Sequence, residues 1–244
     1  VQPNTFNMYC HREPRFYLTV VWNGQWFKWE NRNTNFLYGQ PDGGPTHDAP
    51  QNGYLNRSRV SLDYIPRDNN HPYRPAIIFR MAEAYLSYAE ALNESSERMS
   101  HKQEILDNLN KIRHRAGIAE YGTGTDENGF TRIKINFSDQ KEVRRLIHKE
   151  RRVEFVGEGV RYHDLRRWKT AHYGIGNLNE QGENPDWGVN GPDYGMNYYG
   201  TEYTDQGDNA FFKRTKYMDR VYPRKFYWYP IHQSEIDKDQ TLVQ

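Results

Sequence analysis

A mainly α-helical fold is predicted, built of tetratricopeptide-like helical hairpins packed with long aromatic-rich loops and few short strands. Three observations predict it. Between residues 77 and 170, apolar side chains recur at helical spacing and are bounded by cap and glycine stop signals. The flanking segments, 1–76 and 171–244, are instead rich in Gly, Pro, Asn and aromatic residues, a loop composition. Helix pairs of this size, with short turns and small residues at the seam, bury their faces by stacking.

In chain order, residues 1–76 contain one expected strand, Phe16–Val21, closed by the turn signal Asn23-Gly24. This segment is expected to form part of the ligand-binding face. From Ile77 the period becomes helical. Ile78, Met81, Tyr85, Tyr88 and Leu92 mark one apolar face, and Pro75 sits where a first turn accepts it. Ser100 followed by Gln103 reads as a capping-box start for a second helix. Ile105, Leu109, Ile112 and Ala116 keep its stripe until Gly117 ends it. After a loop over 118–137, Ser138 is expected to cap a third helix carrying Val143, Leu146, Ile147 and Val153. Gly157 and Gly159 then turn the chain into a short fourth helix. Residues 171–226 return to irregular composition, with eight glycines between 174 and 207. A loop this long is either functional or poorly ordered. The 171–244 segment is expected to pack back on the helices.

The third helix and the corner after it carry a charge pattern. Glu150, Glu154 and Glu158 recur every four residues and form one acidic stripe, whose repulsion cations must offset. Arg161, Arg166 and Arg167, in the run that also holds Asp164 and Trp168, are the expected partners. Guanidinium forks bind carboxylates through paired hydrogen bonds and so fix an interhelical angle. The run is read as a structural clasp.

These residues also carry a resemblance. Glu154 to Trp168 resembles the E-L-x-F-E-G-x-R-x-x-D-L-R-R-W stretch of the SusD/RagB family, glycan-capturing lipoproteins on the outer surface of Bacteroidetes cells. Arg80 to Leu92 is similar to that family's R-x-A-E-x-Y-L-x-Y-A-E-A helix, Leu109 to Gly117 to its N-x-x-R-x-R-A-G, and Tyr229 to Ile236 to its F-P-I-P-x-x-E-I. Arg12 to Tyr17 weakly extends the match toward the start. The departures are Val160, where the family often has His, and His232, where Pro is usual.

The resemblance implies the same helical scaffold and a non-catalytic receptor without cofactor, which holds an oligosaccharide or other nutrient. It further implies a SusC-like TonB-dependent transporter as partner and a place on the cell outer membrane. By the same likeness this chain corresponds to a C-terminal portion, with membrane association only through a lipid anchor in the larger N-terminal part. Cys10 does not stand in for that anchor, because Phe6-Asn7-Met8-Tyr9 precedes it rather than a small-residue cleavage site. A lone cysteine also excludes an intrachain disulfide framework.

Composition narrows the partners. With 33 basic against 32 acidic residues the chain has no field to draw phosphate backbones, which argues against nucleic acid. Nineteen Tyr, six Trp and eleven Phe in a hydrophilic chain point to rings at partly wet surfaces. Trp22, Trp26 and Trp29 cluster beside Asn23, Gln25, Asn31 and Arg32, so indole faces could meet sugar C–H patches while these polar groups bind hydroxyls. Tyr38 and Tyr54 are further ligand-binding candidates. The same tryptophans also suit a core beneath the loops. Trp228 is read as a core anchor of the C-terminal segment.

Enzymatic readings find less support. Glu150 and Glu154 lie one helical turn apart, a spacing that admits a glycosidase-like pair. Catalytic carboxylates usually face each other across a cleft, however, and here Arg144, Arg151 and Arg152 crowd them, which disfavours the protonated form a general acid needs. His148, His163 and His172 are too scattered for a metal motif, and Asp186, Asp193, Asp205 and Asp208 lack calcium-loop spacing. No phosphate cradle or serine elbow is present. A glycan-active hydrolase and a helical-repeat protein-protein adaptor remain as alternatives to the receptor.

Overall fold

Alanine and leucine at helical spacing let one helix pack against two others, and this organises the molecule. The computed structural model describes residues 5–58, 60–61, 72–73, 76–174, 188–239 and 241, with Trp29 described by its backbone alone. Pro75 and Asp186 lie outside these residues. Among the described residues, six α-helices and a few short strands make up the regular structure, and turns and loops occupy much of the remainder.

In α2 (Met81–Glu94) the buried positions are Ala82, Leu86, Ala89, Glu90, Leu92 and Asn93. The apolar face expected from the sequence is thus rotated. Ile78, Met81 and Tyr88 are exposed, and Leu92 alone of that set is fully buried. The cause is steric, since the small Ala82 and Ala89 admit α3 (Lys102–Arg115) and α4 (Gln140–Glu154) on adjoining sides of one narrow cylinder. Leu86, Ile105, Leu109, Val143 and Ile147 meet in the resulting core with no or almost no exposure. Each contributes about 1.5–3 kcal/mol by its burial.

The helix starts differ from expectation by one residue. Asp139, not Ser138, caps α4 by accepting from the amides of Lys141 and Glu142. His101 rather than Ser100 occupies the N-cap of α3, because the Ser100 hydroxyl donates backward to the Glu97 carbonyl at 2.8 Å. At its C-terminus α3 stops on Gly117, whose φ of 65° lets the amide of Ile118 return to the Arg113 carbonyl.

The expected strand Phe16–Val21 is mostly helix. Pro14 at the first position opens α1 (Pro14–Thr19), and the Thr19 hydroxyl donates back to the Arg15 carbonyl at 2.7 Å. Strand β1 (Val20–Trp22) follows and pairs antiparallel with β4 (Tyr54–Asn56), placing Trp22 opposite Tyr54. Between them a second ribbon, β2 (Trp26–Phe27) with β3 (Arg32–Asn33), sets Trp26 opposite Asn33. Gly24 makes the turn with φ of 87°.

The chain divides into two compact units. The first contains Val1–Arg161 and Tyr194–Tyr217, and the second Tyr162–Asp193 and Met218–Gln244. A second, smaller apolar cluster in the first unit joins Phe36 and Leu37 to Met196 and Phe211. The 194–217 stretch thereby becomes part of the first unit. Strands β5 (Gly191–Gly195) and β6 (Thr215–Arg220) pair with each other.

Within the second unit lies most of α5 (Val160–Arg167), whose Arg166 donates to the carbonyls of Phe226 and Tyr227 at 3.0 and 2.6 Å. His172 meets the Tyr227 hydroxyl at 2.8 Å. Trp228, the expected anchor, is 81% exposed, because the inward position of this segment falls to Tyr227. The last helix, α6 (Gln233–Lys238), is largely exposed. Among the described residues no helix is long and apolar enough to cross a membrane.

Candidate functional site

Two constellations in the first unit merit weighing as sites, one charged and one aromatic. The charged one centres on α4. Glu150 and Glu154 are 3% and 7% exposed, so their charges lie beneath the surface and need partners there. Arg15 places one guanidinium nitrogen 2.6 Å from Glu150 and 3.1 Å from Glu154. Arg113 reaches the other oxygen of Glu150 at 2.9 Å, and Arg115 bonds to Glu154. Arg80, just before α2, donates to both oxygens of Glu158 at 2.8 and 2.7 Å and to Glu154 at 2.5 Å.

The stripe is therefore met by guanidiniums from α1, the start of α2 and α3. Two of the arginines favoured by sequence proximity, Arg166 and Arg167, also have partners outside the stripe. Arg166 binds Tyr162 and backbone carbonyls, and Arg167 pairs with Asp164 at 2.8 Å. Arg144 pairs with Glu94, and Arg151 lies 3.8 Å from Glu90. Arg161 and Trp168 are half-buried near the corner. Gly157, with φ of 79°, turns tightly there, where an added Cβ would strike the side chains of Asn56 and Ser58.

This arrangement surrounds the carboxylates with guanidinium donors and fixes their positions. Glu150 accepts from two guanidiniums and Glu154 from three, with neither facing an open cleft. A general acid needs a proton to give and a substrate within reach. Burial at 3% and 7% exposure withholds substrate access from Glu150 and Glu154.

The aromatic constellation is assembled from residues 22–44 and 196–212. Asp42 accepts from both terminal nitrogens of Arg32, at 2.6 and 2.8 Å, and from the Asn35 amide at 2.8 Å. Burial alone would push the Asp42 carboxyl up, but the Arg32 hydrogen bonds and the Asn35 amide outweigh it and hold the group below the usual carboxylate range. Asn35 in turn accepts from the Tyr203 hydroxyl at 2.9 Å. Tyr38 donates its amide to the Gly200 carbonyl at 2.8 Å, and its ring lies 6.0 and 5.5 Å from those of Tyr198 and Tyr199.

The five candidate rings separate. Trp26 is 47% exposed, beside the equally accessible Asn33. Tyr38 is half-buried, but Tyr199 next to it is 69% exposed. Trp22, in contrast, is enclosed by Phe16, stacked at 5.4 Å, with Tyr17 and Tyr9 around it, so it offers no face to a ligand. Tyr54 packs edge-on against Tyr9. The Trp29 side chain is outside what is described. Tyr198, Tyr199 and Tyr203 were not singled out from the sequence, although the tyrosine density of 194–203 is a visible signal.

Among the described residues no group of three or more His, Cys, Asp or Glu could hold a metal ion. Asp193 pairs with Arg220, and Asp208 with Lys213 at 2.9 Å.

A sequence model of the SusD family matches residues 2–244. The chain belongs to the SusD family. SusD-like protein P25 of Formosa agariphila is 32% identical over 109 residues, 45% of this chain and 18% of that protein. SusD-like protein P38 of the same organism is 32% identical over 103 residues, 42% of this chain and 19% of that protein. In fold, the chain is similar to the solved structure of selenomethionine BT4246, with a TM-score of 0.67 at 24% identity over 96% of this chain and 37% of that one. A second BT4246 structure gives a TM-score of 0.65 and 36% coverage. The chain thus spans little more than a third of BT4246, and its aligned stretch under a fifth of either SusD-like protein.

Proposed function

We propose that this chain is part of a non-catalytic cell-surface receptor that holds a glycan or similar nutrient and delivers it to a SusC-like TonB-dependent outer-membrane transporter. The observation that carries the reading is the SusD family match over residues 2–244. Two features of the site support it. Trp26 holds an exposed ring opposite the amide of Asn33, and Tyr199 holds another beside Tyr38 and Tyr198, a combination that suits binding sugar without transforming it. The acidic pair closest to a glycosidase arrangement is occupied by guanidiniums.

In this reading Trp26, Tyr38 and Tyr199 contribute to the ligand face, with Trp29 and Tyr54 as further members of the same segment. Trp22 supports them from beneath. The helices α2–α4 act as a tetratricopeptide-like scaffold, and the Glu150, Glu154 and Glu158 stripe with its arginines serves structure alone. The protein works at the outer-membrane surface as a lipoprotein.

Isothermal titration with a glycan panel, followed by analysis of the recovered sugars, tests this. Saturable binding with the sugar returned intact is expected. Cleaved product would turn the reading into a hydrolase, and silence across the panel would leave a protein-protein adaptor.

A further inference from the structure

A groove of about 840 Å³ runs between α3 and the 118–137 connection in the first unit, a size ordinary for a small-molecule site. It shares no lining residue with the Trp26 and Tyr38 surface. One side of α3 forms a wall, since Gln103, Leu106, Asp107, Asn110, Lys111 and His114 follow the spacing that aligns residues along a single helix face.

The opposite wall is fixed without help from a ligand. Asp126, 6% exposed, accepts from the amides of Glu120 and Asn128 at 3.0 Å and of Phe130 at 2.9 Å. Asn110 clamps this loop to α3, donating to the Tyr121 carbonyl at 2.9 Å and accepting the Tyr121 amide at 2.8 Å. Backbone bridges join Tyr121 to Ile133 and Thr125 to Thr131. Such a preformed recess does not have to be ordered when it is filled.

Its chemistry narrows the occupant. The floor is apolar, made by Tyr85, Leu106, Ile135 and Phe137 resting on the helical core. Around the rim three carboxylates, of Asp107, Glu120 and Glu127, face the cations of Lys111, Arg132 and Lys134. With the signs balanced, neither a polyanion nor a polycation is drawn in. A peptide that binds by adding a strand needs an unpaired edge, and the loop backbone is already engaged in its bridges. The side chains of Thr123, Glu127 and Lys134 are exposed and make no hydrogen bond or ion pair among the described residues. They offer a hydroxyl, an acceptor and a donor above an apolar floor.

We infer that this groove is a binding site for a short neutral oligosaccharide, separate from the Trp26 surface. Sugar C–H patches lie on the floor, and hydroxyls meet the three unengaged rim groups. The inference does not depend on the Trp26 surface being a ligand face.

Hydrogen–deuterium exchange on the full chain tests it, with maltohexaose, laminarihexaose and xylohexaose each supplied at about 5 mM, enough to detect millimolar affinity. At least one sugar is expected to slow exchange within 118–137. The Glu127→Ala/Lys134→Ala double variant should lose that protection while keeping its melting temperature, and Trp26→Ala should retain it. Protection confined to 22–44 would overturn this inference and leave the Trp26 surface standing. Equal protection in parent and double variant, or protection by a mixed Lys/Glu octapeptide in place of the sugars, would also overturn it. Silence in both segments would remove both sites.

Discussion

Glu150 and Glu154 lie beneath the surface with guanidiniums on them, whereas Trp26 and Tyr199, in the same unit, hold their rings in water, Trp26 opposite the exposed amide of Asn33. One region has satisfied its polar groups internally. The other has left apolar area and hydrogen-bonding capacity unspent. A buried ion network fixes geometry and resists change, because removing a partner strands a charge away from water. A ring on a loop can be deleted with little effect on folding, yet it is what a ligand would touch. Chemical showiness in a sequence is therefore a poor guide to function. The densest charges here are buried ion pairs, and the proposed ligand face is made of ordinary tyrosines and a tryptophan.

The sharpest way to break this contrast is Glu150→Ala, which leaves Arg15 and Arg113 without their shared carboxylate and is expected to cost about 3–5 kcal/mol in urea unfolding. An unchanged midpoint would mean the network is decoration. Next in size is Gly43→Ala, whose new Cβ would fall inside the Leu37 carbonyl, beside Asp42 and close to Tyr38. A loss of about 1–3 kcal/mol is expected, with ligand affinity falling alongside; preserved affinity would detach this loop from the binding face.

Trp26→Ala should separate the two properties. Stability is expected to move by no more than about 0.5 kcal/mol, while glycan affinity falls about tenfold, or about 1.4 kcal/mol. A drop in melting temperature with affinity intact would reverse the assignment.

The smallest effect concerns acid. Because the folded Asp42 carboxyl titrates below its ordinary value of 3.8, its contribution is fully present above that pH. The contribution then fades as the pH falls through the lower folded value. Asp42→Asn should remove this acid-dependent part, at a cost under about 1 kcal/mol at neutral pH. A stability–pH curve that keeps its acid limb in the variant would clear Asp42 of the role.

The existence of α2 to α5 was readable from the chain because apolar spacing and the glycines at 117, 157 and 159 are local signals, whereas α1 read as a strand from its run of aromatic and β-branched residues. Which face of α2 turns inward was not, since Ala82 and Ala89 win burial by fitting between two partners rather than by being the most apolar residues. The acidic stripe was legible from its own spacing. Four of its cations were not, because proximity pointed to Arg161, Arg166 and Arg167 while space also brought in Arg15, Arg80, Arg113 and Arg115. Each of these four sits in a segment that also carries family resemblance, and that was the available signal. Trp22 and Trp26 read alike in sequence, four residues apart. Only the packing of Phe16, Tyr17 and Tyr9 around Trp22 tells them apart.

Arg15 and Glu150 are separated by 135 positions, yet share one hydrogen bond. During synthesis the arginine leaves the ribosome long before its carboxylate exists, so this ionic tether of α1 forms only after α4 has been made and docked. Contacts of such range make folding slow and cooperative. The segment that leads into the Trp26 ribbon thus gains this ionic seat only once α4 has docked.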